Sequence, residues 1–200
     1  MPAIRRLLGL VALLLPLGAG TAAAQSWWAL SYQPAVPLSN TKDFTDAFAW
    51  RGVGLDYRKQ VKPNVALGLS FGWQVFSDET DDVVSAFGVD VSGDQLRDVN
   101  SWPMLANVSY FFGKEGGPRP FVGANVGGYL MQHRLEIGLV ALEETNFHFG
   151  FAPEAGLAFP VQPNVAAFLS GRYNYALSAG SVDDQAYLSF GVGLAWTHGY

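Results

Sequence analysis

The sequence predicts an all-β chain, an eight-stranded antiparallel up-and-down β-barrel that crosses a membrane. Three observations lead there. Half of the 200 residues are hydrophobic and only 14% are charged, against about 25% charged in an ordinary soluble domain. Beyond the N-terminal segment, no apolar run approaches the ~20 residues of a membrane-spanning helix. The apolar residues instead alternate with small ones at period two, in segments whose connections are alternately short and long.

Residues 1–24 read as an export signal. Arg5 and Arg6 form a positive start, Leu7–Gly20 is an apolar stretch, and Ala22, Ala23 and Ala24 place small residues before a cleavage between Ala24 and Gln25. Residues 25–200 are then one domain. They contain no cysteine, so no disulfide holds a fold that export would have allowed to form one. Losing Arg5 and Arg6 takes the formal charge from −5 to −7, which disfavours nucleic acid as a partner.

Eight strand segments follow in order. The first, about 26–33, and the second, about 47–59, carry Trp28, Tyr32, Trp50 and Tyr57 toward their ends. The third, 65–76, sets Val65, Leu67, Leu69, Phe71, Trp73 and Val75 on one face, against Ala66, Gly68, Ser70, Gly72 and Gln74. The fourth and fifth are 102–112 and 121–132. The sixth, 147–159, contains Pro153, which lacks an N–H and predicts a bulge. The seventh, 165–177, opposes Val165, Leu169, Tyr173 and Tyr175 to Ala166, Phe168, Ser170, Arg172 and Asn174. The eighth, 186–200, alternates Leu188, Phe190, Val192, Leu194 and Trp196 with Ser189, Gly191, Gly193, Ala195 and Thr197.

Connections after the even strands are short: VKPN, GKEGGPRP and VQPN. Those after the odd strands are long, about 34–46, 77–101, 133–146 and 178–185. Such alternation describes a meander with two unlike ends. Of the 17 acidic residues, all but Asp56, Glu115 and Glu154 fall in the long loops. Arg58, Lys59, Lys62, Lys114 and Arg119 lie beside the short turns. In the second loop, DVVSAFGVDVSG is unusually apolar and reads as a strand extension above the membrane.

Alternation alone does not say which face meets the solvent. A soluble barrel turns its large apolar residues inward. Here the other face is mostly Gly, Ala, Ser, Asn and Thr, too weakly charged for a solvated exterior and small enough for a narrow interior. The large apolar face therefore meets lipid. Aromatic residues support this, with Trp28, Tyr57, Tyr110 and Trp196 near one end and Tyr32, Trp73, Trp102 and Phe147 near the other. By the same parity Arg51 falls on the lipid face, close to the long-loop end.

The stretch VNSWPMLANVSYFFGKEGGPRPFVGANVGGYLM, from Val99 to Met131, resembles the fourth and fifth strands of small eight-stranded outer-membrane proteins. These are the OmpA/OmpX-like family, or outer membrane protein beta-barrel domain. Trp196 and Tyr200 in the last strand resemble the aromatic-terminated assembly signal of such proteins, although Phe is their usual last residue. No segment after Tyr200 corresponds to the peptidoglycan-binding domain of longer members. The resemblance implies a monomer in the bacterial outer membrane, inserted by the barrel-assembly machinery and surrounded by outer-membrane lipids and lipopolysaccharide.

Parity places Asp56, Arg58, Asn107, Asn125, His148, Glu154, Arg172 and Asn174 inside. Glu154 and Arg172 fall on neighbouring strands, about two positions apart on the diagonal, and predict an interior ion pair with a structural or gating role. His133 and His148 could approach each other near Glu136 and Glu143, but loop histidines are ordinarily solvated, so no metal is assigned. No cofactor fingerprint is present. None of His133, His148 and His198 has an adjacent serine in a recognisable motif, so no catalytic residue is assigned. The favoured function is a structural and surface-interaction scaffold for envelope integrity, adhesion or surface recognition. A small-solute or ion channel is the alternative, and a lipid A-modifying enzyme ranks third.

Overall fold

A computed structural model describes residues 25–80, 83–86, 89–92, 95–114, 116–137, 140–180 and 182–198. Ala24 and Tyr200, named above for cleavage and assembly, lie outside the described residues. In chain order the elements are β1 (Ser26–Tyr32), β2 (Ala35–Leu38), α1 (Ser39–Phe44), β3 (Arg51–Lys62), β4 (Val65–Thr80), β5 (Val83–Ala86) and β6 (Val89–Ser92). There follow β7 (Gln95–Phe111), β8 (Arg119–Ile137), β9 (Val140–Gln162), β10 (Val165–Ala176) and β11 (Gln185–His198).

The main sheet runs β1-β3-β4-β7-β8-β9-β10-β11-β2 and closes through antiparallel pairing of β1 with β11. Its nine strands make an eight-stranded wall. β1 meets β11 as far as Tyr32 opposite Val192, and β2 resumes in the same register with Ala35 opposite Ser189. Between them Pro34 has no N–H to give, yet its carbonyl still accepts from the Phe190 amide at 2.9 Å. Closure leaves no free edge along the paired wall, the condition for a sheet to span hydrocarbon.

The expected inversion of faces is present. Leu30, Leu55, Leu69, Phe71, Val192 and Leu194 are each at least 41% exposed on the outside. Ala29, Ser31, Ser70, Ser109, Asn125 and Ser189 are buried within. Inward glycines let neighbouring walls approach: a Cβ on Gly68 would lie 2.0 Å from the Tyr57 carbonyl oxygen.

Two expectations are corrected. Pro153 makes no bulge: Arg172 pairs with Glu154 and Tyr175 with Phe151 in one register, and the ladder merely lapses between them. Pro103 does the same between Phe71–Met104 and Gln74–Ser101. A missing N–H costs a ladder bond but does not force an extra residue. The long connections are also shorter than expected. β4, β7, β8 and β9 continue into them, reaching 16, 17, 19 and 23 residues. The apolar segment of the second loop contains β5 and β6, which pair with each other in a separate two-stranded sheet.

The twin VKPN and VQPN turns share one geometry. In each, the register shifts by one residue, at Gln60/Lys62 and at Val165/Ala166, and Pro-Asn makes the reversal. The carbonyls of Asn64 and Asn164 then accept from Phe111 and Thr197 on the next strand, at 2.8 and 2.9 Å. Neither asparagine has a positive φ, and Ser39 is the one described non-glycine residue that does.

Candidate functional site

The barrel interior is filled in layers, from the short-turn end to the long-loop end. Lowest is an apolar ring of Trp27, Phe111, Phe121 and Phe168. Trp27 meets Phe111 edge-on at 4.9 Å, and Phe111 meets Phe121 at 5.2 Å. The Arg58 guanidinium stands 5.2 Å over the Phe121 ring, and a void of about 40 Å³, roomy enough for a water or two, is lined by these aromatics together with Asp56 and Arg58.

Above the void sits a cluster of four charges from three strands. Asp56 and Arg58 come from β3, Glu154 from β9 and Arg172 from β10. Arg58 donates to both Glu154 carboxylate oxygens at 3.0 and 2.9 Å and to the Ser109 hydroxyl at 3.0 Å. Arg172 lies 3.1 Å from Asp56 and 3.3 Å from Glu154, and Arg58 lies 3.6 Å from Asp56. All four side chains are at most 6% exposed. The Ser70 hydroxyl donates to Asp56, and the Asn125 amide to Glu154 at 3.3 Å. Asn107 joins by donating to Asn125 at 2.7 Å and accepting from Ser109 at 2.7 Å. Two cations balance two anions, so the cluster is buried as a neutral unit with most of its hydrogen-bonding capacity used.

The sequence names every member of this cluster as inward but joins only two of them. Glu154 and Arg172 stand directly opposite each other rather than diagonally. The closest charged contact is instead between Arg58 and Glu154, whose strands are not neighbours. Matching charge counts inside, two of each sign, were the signal that could have found it.

A third layer lies above. Tyr129 donates to Asn174 at 3.3 Å, and Asn174 to Ser189 at 3.1 Å. Tyr187 donates to Gln74 at 3.2 Å, and Gln74 to Gln33 at 3.0 Å. His148 is fully buried, its Nδ1 2.8 Å from the Leu177 carbonyl oxygen, which it caps where the β9–β10 ladder ends.

The first long connection, which sequence reasoning left as a loop, folds onto the wall at the long-loop end. α1 packs onto β11 and β2. Thr41 is buried, donates to the Gln185 side chain at 2.8 Å and accepts from the Ala186 amide at 3.1 Å. Asn40 donates to the Asp184 carbonyl oxygen at 2.9 Å. The Phe44 ring stands edge-on to His133 at 5.2 Å. His133 lies above the aromatic belt, in the part of β8 that extends past the membrane. Burial pushes its imidazole below the usual range, against an opposing hydrogen bond from Gln185. Among the described residues no three histidine, cysteine or acidic side chains group as a metal site.

A closed eight-strand barrel with an apolar belt outside and a polar fill inside is the architecture of outer-membrane proteins. The sequence profile described as "Outer membrane protein beta-barrel domain" matches residues 9–197. The chain belongs to this family.

This outer-membrane barrel also superposes on solved members of the same architecture. Ail, the attachment invasion locus protein of Yersinia pestis, aligns with a TM-score of 0.60 at 15% identity, over 88% of this chain and 100% of that one. OprG of Pseudomonas aeruginosa aligns at 0.55 and 12%, over 90% and 98%. Neisserial surface protein A aligns at 0.52 and 15%, over 88% and 98%. At these identities the likeness concerns the fold. No curated protein matches the chain in sequence. In this setting Trp196, outward and 41% exposed opposite Trp28, belongs to the lower aromatic belt.

Proposed function

We propose that this outer-membrane barrel is a closed, non-enzymatic scaffold whose working surface is its extracellular connections, serving envelope integrity, adhesion or surface recognition. In this reading residues 1–24 direct export, Gln25 begins the mature chain, and the barrel-assembly machinery inserts it as a monomer. The single observation that carries it is the filled interior. The Asp56–Arg58–Glu154–Arg172 cluster lies between an apolar ring and the folded first loop, and an eight-stranded barrel so filled by side chains supports a closed scaffold over an open pore.

The sign of the surface narrows the partner. Ail was solved with the heparin analogue sucrose octasulfate, a polyanion. The long connections here hold all of the 17 acidic residues except Asp56, Glu115 and Glu154, so the complementary partner is a cationic surface, or lipopolysaccharide bridged by divalent cations.

Planar-bilayer recording tests the closed interior. The expected result is no discrete conductance from the intact barrel, and reproducible single-channel events would establish the small-solute or ion channel instead. Removing residues 83–92 should abolish surface binding without unfolding the barrel, because β5 and β6 form a two-stranded sheet apart from the wall. Unchanged lipid A masses on overexpression are expected, and a mass shift would revive the enzyme reading.

A further inference from the structure

The outer wall carries a cation with no counter-ion among the described residues. Arg51 begins β3, exposed on the lipid-facing side opposite Val75. Among the described residues its side chain has no ion pair, hydrogen bond or ring contact. The other cations described at this end are engaged: Lys42 with Asp46 at 3.5 Å, Arg134 with Glu136, and Arg97 as well.

The surroundings of Arg51 define its depth. Two residues down the same face, Val53 stands opposite Tyr32 on one side and Trp73 on the other. Just before it Trp50 is 70% exposed, its ring 4.4 Å from Phe48. The Tyr32 hydroxyl donates to the Trp50 carbonyl oxygen and ties this loop end to the wall. Arg51 thus lies one step above an aromatic belt, where hydrocarbon gives way to headgroups.

At that depth a guanidinium costs little, and its planar fork matches a phosphate with two parallel hydrogen bonds. The neighbouring residue in sequence, Trp50, is exposed and carries an indole N–H as a second donor. The source of the phosphate follows from the field. The acidic loops above Arg51 repel a free anion, whereas a lipid is held there by its own acyl chains against Val53, Leu55 and Phe71, each at least 41% exposed. We propose that Arg51 and Trp50 form a binding site on the outer wall for the phosphate of an anionic outer-leaflet lipid. The site is independent of the loop surface proposed above.

The test titrates the purified full-length barrel, in neutral detergent micelles, with diphosphoryl lipid A carrying a fluorescent acyl chain. Arg51→Ala should weaken binding roughly tenfold or more, since hydrogen bonds to charged groups are worth about 1.5–3 kcal/mol. Arg51→Lys should retain part of the affinity, and Arg51→Glu should abolish it. Dephosphorylated lipid A should bind the unaltered barrel no better than the phosphorylated form binds Arg51→Ala, a comparison that needs no variant to fold. Inorganic phosphate at equal concentration should not compete. Equal affinity of the unaltered barrel and Arg51→Ala, or indifference to the lipid's phosphates, would overturn the proposal. Displacement by inorganic phosphate would replace the lipid with a free anion and overturn it too.

Discussion

Substituting Glu154→Gln keeps the shape of the side chain and removes one charge from the buried cluster. Glu154 faces Arg58 at 2.9 Å and Arg172 at 3.3 Å. At an effective dielectric near 20 each contact is worth about 5–6 kcal/mol before desolvation, and stripping water from each ion costs several kcal/mol in return. The intact cluster therefore adds little net stability, but its imbalance is expensive. With Glu154 neutral, two guanidinium groups share Asp56 alone, and a loss of about 3–5 kcal/mol is expected. Removing Arg58 together with Glu154, as Arg58→Met/Glu154→Gln, restores neutrality and leaves the Arg172–Asp56 pair at 3.1 Å. That double variant should be about 2 kcal/mol more stable than Glu154→Gln alone. Equilibrium urea unfolding in lipid vesicles, followed by tryptophan emission and extrapolated linearly, measures both. A Glu154→Gln loss under about 1 kcal/mol, or a double variant no more stable than the single, would refute the account of the cluster as a neutral buried unit.

Three further outcomes follow from the same contacts. Thr41→Ala removes both a donor to Gln185 and an acceptor for the Ala186 amide. It should loosen the first loop by about 1–3 kcal/mol, read as faster amide exchange at Ala186 with the wall strands still protected. His133 has a depressed folded-state pKa, so the unfolded chain binds its proton first as the pH falls below about 6.5. Stability should accordingly fall on acidification from pH 7 to 5, and His133→Gln should flatten that dependence in pH-stepped unfolding curves. Gly68→Ala puts a Cβ 2.0 Å from the Tyr57 carbonyl oxygen, so the wall must shift. A cost of about 1–3 kcal/mol is expected in the same unfolding assay, and an unchanged midpoint would contradict the close approach.

The strand order and the two faces were legible before the structure, because a β-strand has period two. Once Leu67, Leu69 and Phe71 are outside, Gly68 and Ser70 are inside, and the same parity puts Asp56, Glu154 and Arg172 inward. Strand ends were less legible. The expected loop at 133–146 is largely β8 and β9, since polar residues such as Gln132 and Glu143 can pair across a ladder above the membrane as well as they can be solvated in a loop. Pro153 misled for a related reason, because the ladder on its other side still pairs it with Ala124.

The amino-acid sequence by itself determined a closed antiparallel wall, its lipid-facing side and its acidic end. Those features depend on period, composition and the lengths of connections, all of which are local. The tertiary structure alone decided who meets whom across the lumen. Arg58 and Glu154 are 96 residues apart on strands that are not neighbours, and only closure of the barrel with its tilt brings them to 2.9 Å. It alone decided, too, that SNTKDF forms α1 and buries Thr41 over the lumen. A six-residue helix has too few intrahelical bonds to announce itself in sequence, and it persists because Gln185, Ala186 and Asp184 supply its partners.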